Sequence, residues 1–265
     1  MKFSCKREDL LSAVSIAERA VASKSSMAIL EGLYIEAKEN EIRFLGNNLE
    51  LCIDCQIAGT VQEKGSCVVK ANLFSDAVKK LPYSAEDVFI EVNENKVIFI
   101  SCGNAKFNFS TASADEFPRP QDIMANDEIM ISEAVLKNMI RQTVYAIAQN
   151  DTKPYLTGIL FDIKNNVINV VGCDGYRLAI RREDIIHETA LKFIMQGKTA
   201  RELLSILGDT DYIVSVKVSD KQAQLSLKNC TITTRLIDGD YLNYEGVAKH
   251  ENTLFIVTDT KEILD

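Results

Sequence analysis

Few side chains in this sequence could do chemistry. The two histidines, His187 and His250, stand without an acidic or cysteine cluster at ligand spacing, so both read as surface residues. Cys52-x-x-Cys55 has the spacing of half a zinc or dithiol redox motif. On a strand, positions three apart point to opposite faces, and no second pair follows. The seven cysteines (Cys5, Cys52, Cys55, Cys67, Cys102, Cys173, Cys230) fall mostly inside apolar stretches, the pattern of reduced, buried thiols, and no disulfides are expected. Gly-x-Gly-x-x-Gly and Walker-type phosphate loops do not occur, and no Ser or Cys occupies a nucleophile elbow. These residues describe a protein that binds and does not catalyse, without metal or cofactor.

The bulk numbers bound the binding partner. With 46% hydrophobic and 26% charged residues, the chain can bury a core, and its 265 residues exceed one typical domain. No apolar run approaches the roughly 20 residues a membrane span needs, and residues 2–9 are charged where a signal peptide would be apolar, so a soluble, cytoplasmic protein is expected with no membrane partner. The net charge of -8 argues against gripping nucleic acid by phosphate neutralisation. Contact with DNA would have to be local or topological.

The elements that hold these residues come from an internal repeat. After a short lead-in, Leu10 falls on Leu136, Val14 on Ile140, Leu30 on Leu156, Gly32 on Gly158, Gly46 on Gly172 and Asn48 on Asp174, each 126 positions on. Near the module end the offset slips to 124, where Phe117 meets Tyr241. Each module opens with a helical stripe, Leu10, Leu11, Val14, Ala17 and Val21 in the first, Leu136, Met139, Ile140, Thr143, Val144 and Ile147 in the second. Ser132 is a candidate N-cap for the latter. Strands are predicted at 28–37, 41–46 and 49–58, then at 156–164, 167–172 and 176–182, with a hairpin turn at Asp174-Gly175. Second helices follow near 72–81 and 199–207, the latter started by a Thr199-x-x-Glu202 capping box. Three more strands close each module.

Phe117-Pro118-Arg119-Pro120 and residues 121–128 interrupt the pattern. The predicted domains are therefore 1–122 and 127–248. Residues 253–265 start a third: Leu254 to Val257 reads as a strand, Asp259 as a cap, and Ile263-Leu264 as a helix start. The expectation is a shortened version of a three-module chain.

The segment Gln149-Asn150-Asp151-Thr152-Lys153-Pro154-Tyr155-Leu156-Thr157-Gly158-Ile159-Leu160-Phe161, followed by Gly172-Cys173-Asp174-Gly175-Tyr176-Arg177-Leu178-Ala179, resembles the second domain of the bacterial replication sliding clamp family, the DNA polymerase III beta subunit. Ser113-Ala114-Asp115-Glu116-Phe117-Pro118 and Thr258-Asp259-Thr260-Lys261-Glu262-Ile263-Leu264 extend the resemblance over the whole chain. It implies an α+β fold of repeated DNA-clamp domains, each with two helices packed on antiparallel sheets. It also implies a non-enzymatic ring, three domains from each of two chains, that encircles double-stranded DNA with helices inside and tethers the replicative polymerase. An acidic protein can stay on DNA in that way without gripping it.

Matching positions carry the family's contacts over. Lys24, Asn150, Lys153 and Tyr155 fall where family clamps touch DNA, and Lys79, Lys198 and Arg201 add bases on the second helices. Pro154 replaces an aromatic residue of some relatives. A hydrophobic cleft for short peptides of the DNA polymerase III catalytic subunit and the clamp loader would include Leu156, Cys173, Gly175, Tyr176, Arg177, Leu178, Leu242 and Val247. Leu242 and Lys249 stand where the family usually has proline, which alters the expected turn. Phe107 and Phe109 match the edge that pairs with the neighbouring subunit in the homodimeric ring. Lacking most of a third domain, this chain is expected to bind peptide weakly and not to close as a two-chain ring.

Two other readings stay open. An enzyme with a site between modules would need convergent polar groups with shifted pKa values. A natural two-module clamp would build a ring of six modules from three chains.

Overall fold

The computed structural model of the chain describes residues 1–83, 86–120, 123–150, 153–248 and 256–264. Module one runs β1 (Lys2–Lys6), α1 (Arg7–Ala17), β2 (Gly32–Lys38), β3 (Glu41–Asn47), β4 (Leu51–Ala58), β5 (Thr60–Glu63), β6 (Gly65–Lys70), α2 (Ala71–Lys79), β7 (Asp87–Val92), β8 (Val97–Cys102) and β9 (Ala105–Ala112). Module two repeats that order without a counterpart of β5: β10 (Asp127–Ser132), α3 (Glu133–Arg141), β11 (Gly158–Lys164), β12 (Val167–Cys173), β13 (Leu178–Asp184), β14 (Leu191–Gln196), α4 (Gly197–Ile206), β15 (Ile213–Val218), β16 (Gln222–Ser226) and β17 (Cys230–Arg235). Short helices α5 (Tyr244–Ala248) and α6 (Thr260–Leu264) follow.

Each of α1 to α4 begins on the residue after a strand ends, and this explains why the capping signals mislead. The strand's last residue, in extended conformation, occupies the N-cap position, and none of the four makes a side-chain cap bond. Neighbouring loop carbonyls take the orphan donors instead: Arg7 N–H donates to Glu86 at 2.8 Å and Glu133 N–H to Tyr212 at 2.8 Å. α4 thus starts at Gly197, not at a Thr199 box. Thr199 is buried and shares a hydrogen bond with the Thr234 hydroxyl at 2.8 Å, while Glu202 pairs with Arg19 at 2.9 Å. Ser132 does precede α3, but its hydroxyl donates to the Thr210 carbonyl at 3.4 Å and caps nothing. Val21, Val144 and Ile147 lie beyond their α-helices, in or after 3-10 turns, and the predicted first strands begin at Gly32 and Gly158 after similar turns.

Thirteen strands form one antiparallel sheet in the order β10-β15-β16-β17-β4-β3-β2-β6-β9-β8-β7-β1-β5, and β13-β12-β11-β14 form a second. The larger sheet crosses the module boundary where β17 pairs with β4, placing Ile232 opposite Ile53 and Thr234 opposite Leu51. α1 packs with α2 on module one and α3 with α4 on module two. A single apolar cluster runs under all four, from Leu10, Phe74 and Ile53 to Leu136, Leu203 and Ile232. The helices of both modules therefore stand on one side of the continuous sheet.

The repeated glycines explain themselves. A Cβ on Gly46 would meet the Ala17 carbonyl oxygen at 2.0 Å, and one on Gly172 would meet the Thr143 oxygen at 2.2 Å. Ala17 and Thr143 are themselves 126 apart. Only glycine lets the chain at the end of each first helix settle on the strand beneath it, β3 in module one and β12 in module two.

Two expectations differ from the described structure. Ile256 and Val257 are exposed and in no strand, and Leu254 and Phe255 lie outside the described residues, as do Lys249 and His250. His187 is not a free surface side chain: its ring packs beside Asp127, with Nε2 3.2 Å from the carboxylate, and it pins the start of module two.

Candidate functional site

Two surfaces result from this arrangement. On the helical side, Lys79 at the end of α2 and Lys198 and Arg201 on α4 are exposed. Lys79 is engaged by Glu18 at 2.8 Å. Lys24 is exposed in the loop after α1, and Asn150 and Lys153 are exposed in the loop after α3, whose Asp151 and Thr152 lie outside the described residues. Sequence reasoning passed over Lys80 and Arg141, which also end helices and are exposed. Basic residues at helix C-termini are favoured by the helix dipole, so their clustering there needs no ligand.

Tyr155 borders the second surface. It lies in the 3-10 turn Pro154–Thr157, half-buried, with its ring edge-on to Tyr241 at 6.0 Å. Half-buried, it forms a wall of the second surface.

That second surface is the outer face of module two. Leu156 and Cys173 are buried there with Leu160, Val171, Ile194, Tyr241 and Tyr244, and Leu178 and Leu242 pack half-buried at the margin. Position 242 keeps its apolar contact although it is not proline. The Tyr241 hydroxyl donates to the Val171 carbonyl at 3.4 Å and the Tyr244 hydroxyl to Asp162 at 2.7 Å. Burial and the Asp162 charge push the Tyr244 phenol upward, so it stays a proton donor.

Residues 174–177 form the rim. Gly175 has a φ of +91°, the left-handed region, with open space where a Cβ would point. The Asp174 carboxylate accepts the backbone N–H groups of Tyr176 and Arg177, each at 3.0 Å, and Arg177 Nε at 2.9 Å. Those backbone donors, then the guanidinium, hold Asp174 below its usual pKa. Tyr176 is fully exposed, and Arg177 leans over the Tyr145 ring at 5.8 Å. Tyr145 was not expected at this rim; its polar-aromatic character between buried Val144 and Ala146 was the available signal. Val247, on α5, is half exposed and outside the buried cluster. The fold thus gathers Leu156, Cys173, Leu178 and Leu242, sets Gly175, Tyr176 and Arg177 above them, and leaves Val247 apart. An adjoining cavity of about 350 Å³ shares Leu160, Ile194 and Tyr241.

Phe107 and Phe109 face inward and pack half-buried on the core, opposite Ile100 and Ile98 of β8. Beyond Val68–Ala112 and Val69–Thr111, no described strand pairs with the other side of β9. β13 likewise pairs only with β12 among the described residues. No described group of three or more His, Cys, Asp and Glu side chains could hold a metal, and no described helix is long and apolar enough to cross a membrane.

The family description "DNA polymerase III beta subunit, N-terminal domain" matches residues 1–121, and "DNA polymerase III beta subunit, central domain" matches residues 130–243. The chain is 32% identical over 274 residues to the beta sliding clamp of Bacillus subtilis, covering 100% of this chain and 72% of that protein. It is 31% identical over 250 residues to the beta sliding clamp of Staphylococcus epidermidis, covering 91% of this chain and 66% of that one. The crystal structure of the Bacillus subtilis DNA polymerase sliding clamp superimposes with a TM-score of 0.89 at 31% identity, over 95% of this chain and 68% of that chain. The chain therefore spans 66% to 72% of the length of these relatives.

Proposed function

The chain belongs to the DNA polymerase III beta subunit family, the beta sliding clamps, and from that membership we propose that it is a non-catalytic processivity clamp that encloses duplex DNA and tethers a replicative polymerase. The observation that carries this reading is the β4–β17 junction: modules join edge to edge, and their helices share one side of the continuous sheet. That geometry curves a row of modules around a lumen. On this reading Lys24, Asn150, Lys153, Lys79, Lys198 and Arg201 touch phosphates from the helical side, and the overall charge of -8 keeps the protein from gripping. The outer face of module two takes short apolar peptides of the polymerase and of the clamp loader on Leu156, Cys173, Leu178 and Leu242, with Tyr176 and Arg177 closing over them.

Encirclement is separable from gripping by topology. The clamp is loaded onto nicked circular plasmid with its loader and separated by size, before and after the plasmid is cut. Co-elution with the circle and release by linearisation is the expected result. Equal retention on linear DNA, abolished by salt, would replace encirclement with surface binding.

A second arrangement has its own support. β9 stands in module one where β17 stands in module two, and β13 stands where β4 does. Among the described residues β9 is unpaired on that side beyond its two pairs with β6, and β13 is unpaired on one side, so copies can repeat the junction head to tail, and three copies would supply six modules. Light scattering tests it: a species near three times 29.5 kDa supports the three-chain ring, and a monomer assigns ring closure to other arrangements.

A further inference from the structure

The junction between the modules holds two thiols that neither surface uses. Cys55 of β4 lies opposite Cys230 of β17. On these strands Gln56 N–H donates to the Asn229 carbonyl at 3.0 Å, and Arg235 N–H to the Glu50 carbonyl at 2.8 Å. Both belong to the same register, in which hydrogen-bonded and non-hydrogen-bonded pairs alternate. Cys55–Cys230 therefore falls on a non-hydrogen-bonded pair, the kind with Cα atoms about 4.5 Å apart and side chains closest. That separation lies at the short end of the roughly 4.4–6.8 Å a disulfide spans. Both side chains point into the core beneath the helices, so the two thiols face each other across the strand pair.

The pair is buried but not sealed. A pocket of about 150 Å³ between α1 and the helices of module two is floored by Cys55 and Cys230 and walled by Ser12, Ile16, Glu133 and Leu227. It has room for a molecule the size of a peroxide. The facing Cys230 thiol and burial push the Cys55 thiol up. Cys230, the more exposed of the two, meets the oxidant first as the nucleophile, and Cys55 keeps its proton until the second step. The nearest competitor is Cys5, which feels Cys102 but is pushed up to about 12 by burial and by Asp9 and Asp87.

We propose that Cys55 and Cys230 are a reversible oxidation site for hydrogen peroxide, which converts them to a disulfide that fastens module one to module two. The Cys230 thiolate attacks one peroxide oxygen, the O–O bond breaks, and hydroxide leaves, giving a sulfenic acid. The Cys55 sulfur then attacks the sulfenic sulfur, and its proton leaves with the hydroxyl as water. Two thiols lose two electrons and one peroxide becomes two waters. The short Cα separation makes the bond readily reducible, and two equivalents of a small thiol restore the pair by exchange, leaving as their own disulfide. The oxidised form holds the β4–β17 junction shut without touching the cleft or the helical bases.

The test treats the native full chain with a few equivalents of hydrogen peroxide, blocks remaining thiols with N-ethylmaleimide in urea, and maps the digest by mass spectrometry. The expected result is a Cys55–Cys230 linked peptide, five of the seven thiols still blocked by maleimide, reversal by dithiothreitol, and a rise in Tm of about 5 °C. In Cys55→Ala, oxidation should stop at a dimedone-reactive Cys230. Seven blocked thiols after excess peroxide would overturn the proposal. So would a linkage seen only in urea, or oxidation of Cys5, Cys102 or Cys173 ahead of Cys230.

Discussion

The outer face of module one is shut, and the same face of module two is half open, although matching positions build both. In module one Tyr34, Leu45, Cys52, Val68 and Phe117 are all buried, with half-buried Ile29 packed on them. Arg119 lies over the Tyr34 ring at 5.3 Å, and the Asn47 amide donates to the Pro118 carbonyl at 2.8 Å. Their counterparts in module two are Leu160, Val171, Leu178, Ile194, Tyr241 and Tyr155; Tyr155 is half-buried like Ile29, and the change is at Leu178, half-buried where Cys52 is buried. The difference is a neighbour. β17 lies along β4 in module one, whereas no described strand lies along β13. The proposed binding surface is thus the same packing surface that β17 covers in module one.

If the modules are equivalent beneath that difference, the deepest shared feature should fail equally in both. Gly46→Ala and Gly172→Ala each drive a methyl into a backbone carbonyl that cannot move alone. Each should cost about 3 kcal/mol, read as a lowered urea midpoint at unchanged slope. A variant that loses under about 1 kcal/mol would show that the end of its helix can shift, and the two modules would no longer be equivalent.

How much of this was legible is seen in the same residues. The glycine matches and the apolar stripes predicted the repeat, because Gly and periodicity are local signals of backbone geometry. The capping box at Thr199 was not a cap, because a strand running directly into a helix supplies the N-cap from its own last residue. Cys52-x-x-Cys55 does point its two thiols to opposite faces, Cys52 outward and Cys55 into the core. The real partner of Cys55 is 175 positions away on β17, and only strand order could reveal it. That Leu156, Cys173, Leu178 and Leu242 would gather on one face was legible through resemblance alone. The contact of Tyr155 with the Tyr241 ring was not legible, because sequence gives neighbours along the chain and not across it.

A smaller effect separates the sheet edges. Arg43 on β3 makes a two-point ion pair with Asp54 on β4, Nε to Oδ1 at 2.7 Å and Nη2 to Oδ2 at 2.5 Å, and Asp54 raises the Arg43 pKa. The matching residues in module two are Asn169 and Ile180, and Ile180 is exposed on β13. A charge pair suits an edge already covered by β17, and an apolar side chain suits one awaiting a strand. Asp54→Asn should cost about 1–2 kcal/mol in urea unfolding. Ile180→Asn should cost almost nothing in the isolated chain and instead lower its self-association by light scattering. A large stability loss from Ile180→Asn would mean that the edge is already covered.

The smallest difference sits in one turn and depends on pH. Asn48 Oδ1 accepts the N–H groups of Glu50 and Leu51 at 3.1 and 2.8 Å, and Asp174 Oδ1 accepts those of Tyr176 and Arg177 in the same geometry, 126 residues on. One acceptor is neutral and the other titrates. Because Asp174 has its folded pKa lowered, its contribution is complete above the ordinary aspartate value of about 3.9 and is lost as pH falls through its own lower value. The amide resonances of Tyr176 and Arg177 should therefore shift with a midpoint below 3.9, while those of Glu50 and Leu51 stay flat apart from general acid unfolding. Asp174→Asn should flatten the first pair and leave peptide affinity unchanged at neutral pH, since the amide still accepts both donors. A midpoint at or above 3.9 would show that the donors do not hold the carboxylate, and the rim of the cleft would then be set by Gly175 alone.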